Sequence, residues 1–130
     1  MRKLSHEELL SQRLTATEAL QAKRHQVVGV LEDIRSLYNV GSCFRTADAM
    51  LLGRLILTGY TPIPPRKEIS KTALGATETV PWEFIKDGAE AVAMLRADGY
   101  RIYALELTDS SLPLGNAALP PGPIAFVAGN

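Results

Sequence analysis

The sequence contains one cysteine, Cys43, and two histidines in 130 residues. A single cysteine excludes an internal disulfide, and without a Cys-x-x-Cys pair or a His cluster nothing indicates a metal site. No apolar run approaches the roughly 18 residues that a membrane-spanning helix needs. The first eight residues carry charge and lack the apolar core of a signal peptide. We therefore expect a cytoplasmic protein that does not bind membranes.

The sequence also has no net charge, since 14 basic residues balance 14 acidic ones. That balance excludes a polycationic tail but not a local basic surface. Basic residues exceed acidic ones in segments 1–26 and 61–76, whereas segment 77–130 is acidic. The second basic segment contains three candidate contacts for an anionic partner, Arg66, Lys67 and Lys71. An ordinary solvated surface is the alternative interpretation of these charges.

Apolar periodicity and turn residues divide the chain into alternating strands and helices. We predict an N-terminal helical arm over residues 1–26, with one helix from Ser5 to His25, and an α/β domain over residues 27–130. Asn39 is expected to be the N-cap of a helix that ends near Gly53. The other predicted elements are strands at 27–31, 54–58, 101–108 and 124–128, a short extended segment at 80–85, and helices at 69–76 and 87–98. This alternation predicts a parallel sheet with helices on both faces.

The turn after the first strand is the most structured candidate for chemistry. Ligands of parallel sheets bind beyond the carboxyl ends of the strands, where Asn39, Gly41 and Ser42 are expected. Free N–H groups at a helix start attract phosphate, and Arg45, one to two turns further on, offers a bidentate contact. The structural alternative is that Asn39 caps the helix and Arg45 pairs with Asp48 three residues later.

Several segments together resemble the SpoU-type RNA 2′-O-ribose methyltransferases of the SPOUT superfamily. The sequences VLEDIR (30–35) and YNVGSCFRTADA (38–49) are similar to the first signature of that family. The resemblance covers residues 27–130, and its further segments are 57–62, 64–66, 71–76, 80–83 and 123–130. It implies a SPOUT/Rossmann-like fold, a homodimer, and methyl transfer from S-adenosylmethionine to a ribose 2′-hydroxyl of tRNA or rRNA.

The resemblance also implies roles for individual residues. Asn39 and Arg45 match the catalytic end of the first signature. Because a guanidinium is very hard to deprotonate, we expect Arg45 to position the ribose and stabilise developing negative charge. The residues that match the S-adenosylmethionine site are Leu107, Thr108, Gly129 and Asn130. Those expected to hold RNA, together with the N-terminal arm, are Arg66, Lys67 and Lys71.

The family has further signature segments beyond the last residue that the resemblance covers. The second signature of the family runs past Gly129 and Asn130 into a glutamate and a glycine, and a third brings Ser and Asn near the methyl donor. Both belong to a knotted C-terminal segment. We therefore expect this chain to end before the knot, with an incomplete donor pocket and no activity of its own. The alternatives are a non-catalytic RNA-binding module of the same fold and an unrelated nucleotide- or phosphate-binding α/β domain.

Overall fold

A computed structural model describes residues 1–129, and its centre is a parallel sheet of five strands in the order β3-β2-β1-β5-β4. The strands are β1 (His25–Glu32), β2 (Leu52–Thr58), β3 (Trp82–Ile85), β4 (Arg101–Leu105) and β5 (Ile124–Gly129). The helices are α1 (His6–Ser11), α2 (Ala16–Gln21), α3 (Leu37–Ala49), α4 (Lys67–Ala73) and α5 (Gly88–Ala97). The predicted α/β fold is confirmed. No helix within residues 1–129 is long and apolar enough to cross a membrane.

Helices cover both faces of the sheet, as predicted. On one face α3 and α4 pack against β1 and β2, and they completely bury Phe44 and Ile69. Trp82 packs against this core and meets Phe44 edge-on, with 6.3 Å between the ring centroids. On the opposite face α5 buries Ala91 and Leu95 against residues of β1, β2 and β5.

The N-terminal arm differs from the prediction of one helix. Ser5 and Glu8 form a capping box at the start of α1, and Thr15 and Glu18 form a second one, with Thr15 Oγ1 accepting from the Glu18 amide at 3.2 Å. A second start signal therefore divides the arm into α1 and α2. Neither helix contains a buried residue, and β1 already begins at His25, before the predicted end of the arm.

Several predicted boundaries are wrong. The helix predicted to end near Gly53 ends at Ala49, because the chain turns at Leu51, with a φ of 51°, and β2 begins at Leu52. Ser36, not Asn39, caps α3, because its hydroxyl accepts the Asn39 amide at 3.2 Å and starts the helix three residues earlier. The predicted strand over 101–108 ends at Leu105. Beyond it the chain turns, with the Thr108 amide bound to Ser111 Oγ at 3.2 Å, so Leu107 and Thr108 belong to a loop.

Candidate functional site

Hydrogen bonds fix the carboxyl ends of β1 and β2, from which the chain enters α3. Asp33 Oδ1 accepts from the Tyr60 amide at 2.8 Å. The buried Thr61 hydroxyl donates to the Leu31 carbonyl at 2.9 Å and accepts from the Ile34 amide at 3.0 Å. The two strand ends are thereby joined, which gives the start of α3 a defined position at the carboxyl edge of the sheet.

Close contact between α3 and α4 depends on Gly41. A Cβ at this position would clash with the Ile69 carbonyl oxygen and the Thr72 hydroxyl, and would lie 3.0 Å from the Ala73 amide nitrogen. The space that the sequence suggested for a phosphate is therefore filled by the backbone of α4. Thr72 also donates to the Tyr38 carbonyl at 2.8 Å, which ties α4 to the first turn of α3.

Arg45 lines a cleft of about 570 Å³ between the N-terminal arm, α3 and the chain after α4. Its side chain is exposed, and no carboxylate of residues 1–129 lies within 4.0 Å of it. The Arg45–Asp48 pair of the structural alternative is therefore absent from the described part of the chain. An unpaired guanidinium at a cleft is available to an anionic ligand.

Asp48 has other partners. Its Oδ1 accepts from the Thr79 hydroxyl at 2.8 Å and lies 3.7 Å from Arg24 Nη2. Arg24 is almost fully buried and also donates to the carbonyls of Leu52 and Thr79, at 3.1 and 2.9 Å. This cluster draws the Asp48 carboxylate away from Arg45 and joins the base of the arm to β2 and α3.

The structure does not bring Asn39 and Arg45 into one pocket. Asn39 is exposed near the start of α3, at the carboxyl edge of the sheet. Arg45 lies six residues on, which at 1.5 Å per residue is about 9 Å along the helix axis. Its cleft is shared with Leu51 and Thr79, which precede β2 and β3, and therefore opens toward the amino edge.

The predicted donor residues surround the ends of β4 and β5. Gly129 lines a pocket of about 250 Å³ with Glu32 and Glu106. Leu107, which is 93% exposed, lines an adjoining groove of about 620 Å³ with Phe126. Thr108 lies in the turn beyond, and Asn130 lies outside the described residues. Sequence reasoning missed Glu32 and Glu106, although each follows an apolar run at a strand end, where ligands of parallel sheets bind.

The three predicted RNA contacts lie on or beside α4. Arg66, Lys67 and Lys71 are all exposed, and Arg66 Nε lies 3.9 Å from a Glu68 carboxylate oxygen. Lys67 and Lys71 are four residues apart and so share one side of the helix. Neither lysine has a carboxylate within 4.0 Å among residues 1–129. The surface of α4 therefore presents two unpaired cations.

Cys43, on α3, lines an apolar groove of about 340 Å³ that Leu105 and Phe126 also line. The side chain is half-buried, and burial raises the pKa of its thiol. A protonated thiol is a poor nucleophile, so Cys43 acts here as a packing residue. No group of three or more His, Cys, Asp or Glu residues within residues 1–129 is arranged to hold a metal ion.

Comparisons with known proteins identify sequence relatives. The model of the SpoU rRNA Methylase family matches residues 26–130. The 23S rRNA (guanosine-2′-O-)-methyltransferase RlmB of Neisseria meningitidis is 33% identical over 101 residues, which are 78% of this chain and 40% of that protein. The RlmB of Vibrio cholerae is 33% identical over 70 residues, 54% of this chain and 28% of that protein. The chain thus spans about two fifths of the length of the Neisseria relative and a smaller part of the Vibrio relative.

Solved structures share the fold. An rRNA methyltransferase from Sinorhizobium meliloti superposes with a TM-score of 0.73 at 25% identity, over 80% of this chain and 39% of that chain. A TrmH/SpoU tRNA modifying enzyme from A. aeolicus gives a TM-score of 0.72 at 18% identity, over 86% of this chain and 56% of that chain. The second likeness, at 18% identity, shows the fold alone.

Proposed function

Because this chain belongs to the SpoU rRNA methylase family, we propose that it forms part of an RNA 2′-O-ribose methyltransferase that uses S-adenosylmethionine. The observation that carries the proposal is the unpaired guanidinium of Arg45, held at a cleft by a helix whose sequence resembles the family's first signature. The RlmB relatives are named as 23S rRNA methyltransferases, so rRNA is the first substrate to test. tRNA, the other substrate that the family resemblance implies, is the second.

The strand-end pockets have chemistry that fits S-adenosylmethionine. Glu32 and Glu106 place carboxylates beside the pocket that Gly129 lines, where they would accept hydrogen bonds from ribose hydroxyls and attract a cation. The adjoining groove, with Leu107 and Phe126, offers apolar surface to an adenine ring. When bound, S-adenosylmethionine supplies the methyl group, on its sulfonium sulfur.

The residues of this chain would then act by position and charge. Arg45 would hold the target ribose and its phosphate and stabilise the negative charge that develops on the attacking 2′-oxygen. Asn39, with its amide exposed at the carboxyl edge, would hydrogen-bond the nucleotide near the donor. Arg66, Lys67 and Lys71 would hold flanking phosphates, and such contacts position RNA without reading its sequence.

We further propose that the protein acts as a homodimer. In one chain the cleft at Arg45 opens toward the amino edge of the sheet, whereas Gly129 and Glu106 surround a pocket at the carboxyl edge. A second copy would supply a donor pocket to the RNA that Arg45 holds. Light scattering on the full-length protein should give twice the protomer mass, and a monomer that methylates RNA at full rate would refute this arrangement.

The test of the proposed function is single-turnover methyl transfer to 23S rRNA and tRNA transcripts, with radiolabelled S-adenosylmethionine and the full-length protein. Arg45→Ala should slow the step about a hundred- to a thousandfold, as removal of one oxyanion donor does. Arg45→Lys should remain strongly impaired, because it keeps the charge but loses the planar fork. The control is Arg96→Ala, on α5 at the opposite face of the sheet, which should leave the rate unchanged.

Two results would contradict the proposal. Wild-type protein that binds RNA but transfers no methyl group to either transcript would favour the non-catalytic RNA-binding alternative. Near-wild-type rates in both Arg45 variants would remove Arg45 from the mechanism. Urea denaturation of the same variants shows whether a lost rate comes from a lost fold, since Arg45 is exposed and its substitution should cost less than about 0.5 kcal/mol.

A further inference from the structure

A second unpaired arginine lines the cleft at Arg45. Arg13 lies in the turn between α1 and α2, is exposed, and has no carboxylate within 4.0 Å among residues 1–129. The other two arginines of the arm are paired. Arg2 binds Glu8 with Nη1 at 2.8 Å from Oε2, and Arg24 is buried in the cluster with Asp48. Arg13 is thus the arginine that the arm offers to a ligand.

The charges around the cleft favour an anion. Asp48 also lines it, but its carboxylate is already bound by Thr79 and neutralised by Arg24. Glu78 is the other acidic residue of the lining. Two unpaired guanidinium groups, Arg13 and Arg45, therefore face one carboxylate that has no partner of its own.

The cleft has apolar surface as well as charge. Leu14 and Leu74 line it and are 57% and 64% exposed. Its volume of about 570 Å³ falls within the range of roughly 300–1,000 Å³ that is usual for ligand sites. A ligand with anionic groups beside flat, weakly polar rings matches this lining, and a nucleic-acid strand has that composition.

We propose that this cleft binds a single-stranded segment of RNA, with Arg13 and Arg45 contacting backbone phosphates from the arm and from α3. Leu14 and Leu74 provide the surface against which a nucleoside packs. Arg13 is then a positioning residue, which places the strand without taking part in methyl transfer. The choice of RNA as the polyanion rests on the proposed function. The presence of two unpaired guanidinium groups at one cleft does not depend on it.

The experiment measures binding of a fluorescein-labelled, mixed-sequence 15-nucleotide RNA to the full-length protein over a series of KCl concentrations. Each phosphate contact to a single strand contributes about 0.7 to the slope of log K against log salt. Arg13→Gln should weaken binding and flatten the slope by about that amount, and Arg13→Lys should restore most of the slope. The matched control is Arg2→Gln on the same arm, which should leave the slope unchanged because Arg2 is paired with Glu8.

Three outcomes would overturn the inference. The slope for Arg13→Gln could equal that of the wild type, or Arg2→Gln could flatten it equally, which would indicate a diffuse charge effect. Poly-glutamate could displace the RNA at equal charge concentration, which would assign the cleft to acidic peptides. Failure of the proposed function gives a different result, namely RNA binding that depends on Arg13 in a protein that transfers no methyl group.

Discussion

Replacement of Gly41 by alanine tests whether close packing of α3 on α4 organises this site. In an exposed helix interior this substitution stabilises, because glycine costs about 1 kcal/mol relative to alanine. Here the added Cβ would clash with the Ile69 carbonyl oxygen and the Thr72 hydroxyl. The backbone oxygen cannot move without displacing α4, so Gly41→Ala should destabilise the protein and not stabilise it.

The magnitude follows from these two opposing contributions. Overpacking of a close-packed interior costs typically 1–3 kcal/mol, and the upper end applies because one obstacle is backbone. Subtraction of the gain in helix propensity, about 1 kcal/mol, leaves a net destabilisation of about 2 kcal/mol. Addition of Thr72→Ala removes the hydroxyl but not the Ile69 carbonyl, so the double variant should stay destabilised.

Urea denaturation of the full-length protein, followed by far-UV circular dichroism, measures the change. Gly115→Ala is the matched control, because a Cβ there meets nothing within 4 Å, and it should shift stability by less than about 0.5 kcal/mol. Equal or greater stability of Gly41→Ala would refute the reasoning. Full recovery in the Gly41→Ala/Thr72→Ala protein would show that the hydroxyl, not the helix backbone, is the obstacle.

Two further predictions concern the arm. Hydrogen bonds from Arg2 and from the Ser5 amide lower the pKa of the Glu8 carboxyl from 4.5 to about 2. A carboxyl whose pKa is depressed on folding stabilises α1 above the unfolded value and loses that contribution as pH falls toward 2. An NMR titration should give a Glu8 midpoint near 2 that rises in Arg2→Gln, and a wild-type midpoint near 4.5 would contradict this. Arg24→Met should destabilise by about 2–4 kcal/mol in urea, because two carbonyls lose their donor. Asp48→Asn should lower the free energy of unfolding by less than about 1 kcal/mol, since this carboxylate is 40% exposed. A larger loss in Asp48→Asn than in Arg24→Met would contradict the view that Arg24 holds the cluster through the two carbonyls.

Local sequence patterns predict the helices and strands better than they predict which strands pair and which residues cap. Alternation of apolar strands with helices indicates a parallel sheet covered on both faces. Asp87, the first residue of a predicted helix, caps α5, with its carboxylate accepting the Ala89 amide at 2.9 Å. Ser36 and Asn39 are both good caps, and spacing alone does not choose between them. The sheet order, with β5 between β1 and β4, depends on pairing between strands about 100 residues apart in the chain and is invisible to a local pattern.

The candidate site shows the same contrast between local patterns and contacts made by residues that are distant in the chain. Arg45 and Asp48 have the spacing of a helical ion pair, yet Asp48 binds Thr79 and Arg24, which are 31 and 24 positions away. Gly41 is one of the residues predicted to meet a ligand, but the group that approaches it is another helix. Arg13 has no local motif, and its place in the cleft became apparent only from the packing of the arm.

The distribution of charge between the two edges of the sheet bears on how the proposed reaction would be assembled. The carboxyl-edge pocket is acidic, with Glu32, Asp33 and Glu106 in its lining, whereas the cleft toward the amino edge presents Arg13 and Arg45. A sulfonium cation and an RNA polyanion would each be attracted to a different edge. Within one protomer each ligand would therefore be attracted to its own edge. In the proposed dimer the second copy would bring its donor pocket to the RNA that Arg45 holds, so the cation and the polyanion would meet at the site of methyl transfer.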